Sequence, residues 1–324
     1  MTRLARWLVF PLVVACFAAS GFAHAQGWPS RPVKLIVPYP PGGIGDGIAR
    51  ALALRLSAKT GQPFVVENQP GGNQIPATAA MGRSAPDGHT LLLASPTNLI
   101  LNPLLQKAIP YDADKFTLIS TVATSPFFVL TEPKLPANSI PELIALAKSK
   151  PGALAYGSNG EGSSSHLAVE LFNQMAGIRM THVPYKGTSQ TNIDLMNGTL
   201  QLVFFPAVGS LPLVKDGRLK LLAVTSGRRS AAAPDVPTIA EAGLRDYVVE
   251  VWFGLAGPEG MPKLLTEQIA AAVRQALEDP ALNRDFAAQA VEFEGSTPEA
   301  FRSSLQRERK LWASLVRTLN LKPQ

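Results

Sequence analysis

The chain has 324 residues, 46% of them hydrophobic and 17% charged, with a formal net charge of +6. That is enough apolar material for two cores of ordinary domain size. Lys and Arg are scattered, apart from short clusters at Arg228 and Arg229 and in the last helix, so the charge predicts no nucleic-acid stripe and at most a weak bias towards anionic small molecules.

Taken in order, the chain opens on a leader. Arg3 and Arg6 form a basic n-region, 7–20 an apolar core, and Ala23, His24 and Ala25 a small-x-small cleavage site. Cleavage after Ala25 is expected, with residues 1–25 a secretory signal peptide too short for a membrane anchor. Val13 to Cys16 is a loose lipoprotein-type box, and Cys16 is the one cysteine, so the mature chain has no disulfide and depends on its core. An exported, cysteine-free, two-domain chain fits a bacterial periplasm.

Val33, Leu35, Ile36 and Val37 read as a buried strand. PYPPGGIG follows, which can be neither helix nor ladder. Asp46 then opens a helix with Ile48, Leu52 and Leu56 on one face and Gly61 as its stop. Strand, glycine turn and helix start aim backbone N–H groups and a positive dipole end at one spot, which favours an anion. An anion on the free backbone amides of this turn, which includes Gly42 and Gly43, is expected there.

The device recurs. A strand over 64–67 leads to Pro70, Gly71 and Gly72, a short helix, the Pro86-Asp87-Gly88 turn, and an apolar strand TLLLA. Two β-rich runs over 116–130 follow with no helix between them, so the chain is expected to cross into a second domain near Thr124. Ser139 and Glu142 have capping-box spacing. ALAYGSNGEGSSSHLAVELFNQMAG is the opening device again, its helix expected to bury Leu167, Leu171 and Met175. MTHVPYKGTSQTNIDLMNG repeats it, and YVVEVWFGL is the expected return crossing, near Trp252. The rest is helical, with Phe301, Leu305, Trp312 and Leu315 on one face. Alternating strands and helices with Gly-rich loops predict an α/β fold of two domains, each a mainly parallel sheet flanked by helices. The expected division is 26–123 plus 252–324 for the first and 124–251 for the second, with a ligand cleft between them.

Catalytic signatures are missing: no G-x-S-x-G, Walker loop, G-x-G-x-x-G or H-E-x-x-H occurs. His89, His166 and His182 lie on different elements without metal spacing, so no metal or cofactor is expected. His89 follows a turn and is expected at the surface, and His182 in a core strand. His166, in the first turn of its helix beside several hydroxyls, suits a donor in a binding loop better than half of a Ser-His pair. Asp46 has two readings, a helix-start stabiliser or an acceptor for a ligand. Ser158, Ser163 and Ser164 either cap the helix or face a ligand. Tyr185 and Lys186 either snorkel or wall the cleft, and Trp252 is either hinge packing or an apolar lid.

The stretches PYPPGGIGDGIAR, ENQPGG, APDGHTLLLAS, YGSNGEGSSSHLAVELF, HVPYKGTSQTNIDLMNG, LLAVTSGRRSAAAPDVPTIAEAG and WFGLAGPEGMP resemble, in order, the Bug (tripartite tricarboxylate transporter receptor, TctC-like) family of periplasmic solute-binding proteins. The resemblance implies a non-enzymatic, two-domain Venus-flytrap receptor that closes about an organic acid and hands it to integral-membrane permease subunits; a monomer is expected. It implies that the loops 41–43 and 158–164, with Pro41, Gly42, Gly43, Asp46, Ser158, Gly160, Ser163, Ser164 and His166, hold the ligand. The V-P-Y-K-G loop maps to Tyr185, Lys186 and Gly187. Departures are Gln69 for a common arginine, Gly72-Asn73 for Ala-Gly, His89 for a tyrosine, Asn197 for a glycine, and Gln201 for an acid. Glu161 adds a negative charge that, with Asp46, disfavours a tricarboxylate, so a mono- or dicarboxylate is expected. Two other readings are a ligand-sensing subunit for a two-component kinase and an exported hydrolase using Ser163 or Ser164.

Overall fold

A computed structural model describes residues 27–185 and 188–318. The leader with Cys16, and the loop positions Lys186 and Gly187, lie outside the described residues. β1 (Val33–Val37) is flanked by two parallel partners, β2 (Phe64–Asn68) and β3 (Thr90–Ala94), in the register Leu35 to Val66 and Leu35 to Leu91. Its side chains at 33, 35, 36 and 37 are all buried, as the near-continuous apolar run requires of a strand covered on both faces. Helix α1 (Ile44–Thr60) buries Ile48, Leu52 and Leu56, each worth about 1.5–3 kcal/mol relative to exposure. It ends where Gly61 turns left-handed (φ 72°) and donates to Ser57 O.

The six-stranded sheet has the order β11-β4-β10-β3-β1-β2, with β4 Thr117–Pro126, β10 Glu250–Gly257 and β11 Glu292–Phe293. β10 lies antiparallel between β3 and β4. The five-stranded sheet has the order β7-β6-β8-β5-β9, with β5 Phe128–Thr131, β6 Ala155–Ser158, β7 Thr181–Pro184, β8 Leu202–Phe205 and β9 Lys220–Val224. Both sheets are mixed. Four strands of each run one way, and the reversed ones include β5 and β10, the first strands laid down after each change of sheet.

The chain leaves the first sheet at Pro126 and enters the second at Phe128, then returns between Val224 and Glu250. Thr124 and Trp252, the expected crossing points, are register partners just inside the first sheet. The crossings are stapled by one buried hydroxyl. Thr225 Oγ1 accepts from Phe127 N at 2.8 Å and donates to Val249 O at 2.6 Å, and the backbones pair through Thr225 N to Phe127 O and Val249 N to Thr225 O.

Helices α2 (Ile75–Gly82), α3 (Ile140–Ser149), α4 (Ser164–Ala176), α5 (Thr188–Met196), α6 (Lys263–Leu277), α7 (Pro280–Ala287) and α8 (Pro298–Thr318) surround the sheets. The α3 cap is as the spacing predicts, with Ser139 Oγ accepting from Glu142 N. In α8, Phe301, Leu305, Trp312 and Leu315 are buried as expected. The α4 face is rotated: Phe172 and Ala176 are buried with Leu167, while Leu171 and Met175 are half-buried, because Phe172 packs against Phe204 of β8 and Tyr247. His89 is likewise buried, at 7% exposure, with Nδ1 3.4 Å from Asp87 Oδ1; the preceding turn packs under Trp28 and Ile269 of α6. No described helix is long and apolar enough to cross a membrane.

Candidate functional site

The first turn is held from below. Asp46, 4% exposed, accepts from Gly42 N (2.9 Å) and Arg50 Nε (3.0 Å) on one oxygen, and from Asn68 Nδ2 (2.8 Å) on the other. Burial by itself would raise its pKa, but the hydrogen bonds from Arg50, Gly42 and Asn68 outweigh it and hold the carboxyl below its usual range. Asp46 therefore shapes the turn, and its charge is balanced before any ligand arrives. This corrects the expectation for the amides: Gly42 N–H is taken by Asp46, and Gly43 N lies 3.4 Å from Pro40 O. The α1 N-cap, Gly43, supplies no side-chain acceptor, which leaves the N–H groups of the helix's first turn, Ile44, Gly45 and Asp46, as the donors at this end. Pro41 is exposed beside them. Gly45 is required by packing, since a Cβ there would fall 2.5 Å from the Tyr39 ring.

The second turn is knitted by its own side chains. Ser158, fully buried, meets His182 Nε2 at 2.7 Å, and its Oγ accepts from Gly160 N. Ser163 caps α4, accepting from His166 N and donating to Gly160 O. Ser165 Oγ accepts from Asn159 N. His166 Nδ1 accepts from Gly162 N at 3.0 Å, so a neutral ring carries its proton on Nε2. The His166 and His182 rings stack 3.9 Å apart at 15°. Burial, then the neighbouring His182, pushes the His166 pKa down to about 3, so the ring is uncharged at neutral pH. Burial also lowers that of His182, opposed by Glu161. Beneath the pair, Tyr156 donates to Glu170 Oε1 at 2.5 Å.

The second turn meets the first lobe. Ser164 Oγ lies 3.4 Å from Thr97 Oγ1 of the first lobe, and a Cβ on Gly162 would touch Leu105 Cδ1 at 3.0 Å. A Cβ on Gly160 would sit 3.9 Å from Asn73 Oδ1. Tyr39, on the first turn, has its pKa raised by burial, a rise that the neighbouring side chains of Ser95 and Gln74 oppose. The segments 71–74 and 95–105 thus face the second turn; the glycines of the first were legible in the sequence as a turn, but its pattern placed neither segment at the site. The signal available was polar, the Asn73-Gln74 pair after the glycines, where no helix or strand pattern drew attention.

Two expected residues point elsewhere. Trp252 stacks edge-on against Phe301 at 5.2 Å, and its Nε1 donates to Glu308, which also accepts from Trp312 Nε1 at 2.9 Å. Alternation along β10 puts Phe253, not Trp252, on the side of the first turn, where it meets Tyr39 at 5.8 Å. Trp252 packs against α8, on the wall of a cavity of about 380 Å³ between the crossing strands and that helix. Tyr185 joins the second turn through its backbone, donating N–H to Ser158 O, while its hydroxyl is 2.5 Å from Asp194 Oδ2. Burial and that carboxylate raise its pKa to about 12.

Residues 48–321 match the family model described as the tripartite tricarboxylate transporter family receptor. The chain belongs to that family. The receptor is 36% identical over 326 aligned positions to the protein BugT of Bordetella pertussis, covering 99% of both chains. It superposes with a TM-score of 0.85, at 32% identity, on the R. palustris Rpa4515 structure with adipate, covering 92% of this chain and 100% of that one. A second similar structure, MatC of Rhodopseudomonas palustris with bound malate, gives a TM-score of 0.78 at 27% identity, covering 89% and 100%.

Proposed function

We propose that the receptor binds a small organic mono- or dicarboxylate in the seam between its lobes, in the periplasm, and presents it to the membrane permease of a tripartite tricarboxylate-type transporter. The observation that carries this reading is the meeting of the second helix-start turn with the first lobe, where Ser164 Oγ lies 3.4 Å from Thr97 Oγ1 and the Gly160 and Gly162 positions face Asn73 and Leu105. One carboxylate sits at the start of α1, on the Ile44 and Gly45 amides beside Pro41, Gly42 and Gly43. Ser164 and the Gly160 turn, backed by Ser158, Ser163, His166 and Tyr185, close on it from the other side, with Lys186 following Tyr185 in the same loop. The lobes divide near the expected 26–123 plus 252–324 and 124–251, displaced to the changes of sheet. The receptor acts as a monomer after cleavage behind Ala25.

Support comes from the family and from the acids named with two similar structures, adipate and malate. The hydrolase reading has little to rest on. Ser163 Oγ is engaged as a cap and Ser164 Oγ faces Thr97, and neither has an imidazole nitrogen in hydrogen-bond reach among the described residues. Isothermal calorimetry against a panel of C4–C6 acids tests the reading. One or more acids should bind, and Gly43→Leu should weaken that binding without unfolding the protein, because Gly43 has φ −80° and its Cβ position meets nothing nearer than 3.5 Å. A panel without a binder sinks the function, and unchanged affinity in the variant sinks the site.

A further inference from the structure

The turn after β2 carries an unusual backbone. Gly71 (φ 103°) and Gly72 (φ 52°) are followed by two non-glycine residues in the left-handed region, Asn73 (φ 50°) and Gln74 (φ 69°). Side chains adopt that region at a cost, and consecutive cases persist only where the surroundings enforce them.

The enforcement is visible. Asn73 O accepts from the buried Asn102 Nδ2 at 2.8 Å, which also contacts Tyr111 OH at 3.1 Å, and Tyr111 OH donates to Asn98 O. Gln74 Oε1 accepts from the buried Ser95 Oγ at 2.9 Å, and Gln74 O from Thr78 Oγ1. Ser95 N in turn donates to Asn98 Oδ1, and Asn98 Nδ2 is a buried donor with no protein partner. A rigid polar platform therefore fixes both residues from beneath. The product of this arrangement is that Asn73 is exposed and its carboxamide faces the Gly160 turn of the other lobe. A fold needing only a tight turn would be better served by glycine at 73.

We propose that Asn73 is a specificity-determining residue of the ligand site, the first-lobe wall opposite the Gly160 turn, presented there by the strained and anchored 71–74 turn. The proposal rests on the carboxylate reading and adds to it. With one carboxylate at the start of α1, the Asn73 amide donates to a second oxygen on the acid, whether hydroxyl or further carboxyl, and so selects acids that carry one. A neutral carboxamide has the donor such an oxygen needs, without a charge that would bind any anion indiscriminately.

The test is calorimetry with two matched pairs, malate with butyrate and adipate with hexanoate, on the wild type, Asn73→Gly and Asn73→Asp. Glycine relieves the left-handed strain, so ligand-free Asn73→Gly should melt at the wild-type temperature or about 2 °C above it. It should nevertheless lose about tenfold in affinity for the oxygen-richer member of whichever pair binds, with the ratio within the pair collapsing towards one. Asn73→Asp, which tolerates the same backbone, should lose at least as much where the second oxygen belongs to a carboxylate, which its charge repels, and should keep affinity where it is a hydroxyl, which donates to the new carboxylate. Unchanged ratios, or equal losses for both members, overturn the proposal, as does a marked fall in the melting temperature of ligand-free Asn73→Gly. Failure of the wild type to bind all four acids would instead overturn the carboxylate reading, and the proposal with it, before any variant is examined.

Discussion

The stacked histidines make the fold sensitive to acid in a way that one substitution isolates. His166 is 5% exposed, and its pKa falls from the ordinary 6.5 to about 3. The folded state thus refuses a proton that the unfolded chain accepts below pH 6.5. The stabilising contribution is complete above that value and is lost as pH falls towards 3. From pH 7 to pH 5 the loss from this group alone is about 2 kcal/mol. His166→Gln cannot titrate and keeps an acceptor for Gly162 N, so it should be less stable at pH 7 yet lose less on acidification. Urea denaturation at pH 7, 6 and 5 with unchanged m-values provides the comparison. The gap between wild type and variant should narrow by about 2 kcal/mol across that range. Parallel profiles would show that His166 titrates in the folded protein as it does in the unfolded chain, and the account of a ring kept neutral by burial would fail.

Three further outcomes follow from packing and hydrogen bonding. Gly45→Ala puts a Cβ 2.5 Å from the Tyr39 ring and should cost about 1–3 kcal/mol, while Gly43→Ala, with 3.5 Å to its nearest neighbour, should cost little; equal melting temperatures would refute the difference. Asp46→Ala removes the acceptor for Gly42 N and Asn68 Nδ2, at about 2 kcal/mol, and faster hydrogen exchange at Gly42 should accompany it. Little of that loss belongs to Arg50, which is more than half exposed. Thr225→Val leaves Phe127 N and Val249 O without their buried partner, at about 1–3 kcal/mol by urea titration, and a neutral result would remove Thr225 as the staple of the crossings.

Periodicity made the frame legible. Val33–Val37, the α1 face and the α8 face depend on spacing along one segment, and all three are as the sequence predicts. What depended on a distant partner was not legible. Nothing local says that the turn before His89 packs beneath Trp28 and Ile269, or that Phe204 draws Phe172 rather than Leu171 to the core. Which face of β10 Trp252 takes is set by the pairing of that strand with β3 and β4, segments distant in sequence, so the local pattern could not fix it. In the candidate site the second turn was read as a cluster of serines with one histidine. The partner that completes it, His182, arrives from a parallel strand through the pairing of Tyr156 with His182.

The charge arrangement bears on what such a seam can distinguish. Asp46, the one buried carboxylate at the first turn, is already satisfied by three donors, and His166 is kept neutral by burial. Arg50, the cation joined to the first turn, is paired with Asp46. On the proposed reading, a carboxylate at these two turns meets helix starts and neutral hydrogen-bond donors, with no unpaired cation among the described residues of the turns. Each helix start contributes only about 0.3–2 kcal/mol. Hence attraction to charge alone is weak, and discrimination passes to the placement of individual donors, where a displaced or missing partner leaves a desolvated oxygen unsatisfied. A seam built this way separates acids by shape and oxygen pattern more sharply than by net charge, which agrees with the strain invested in holding Asn73 where it is.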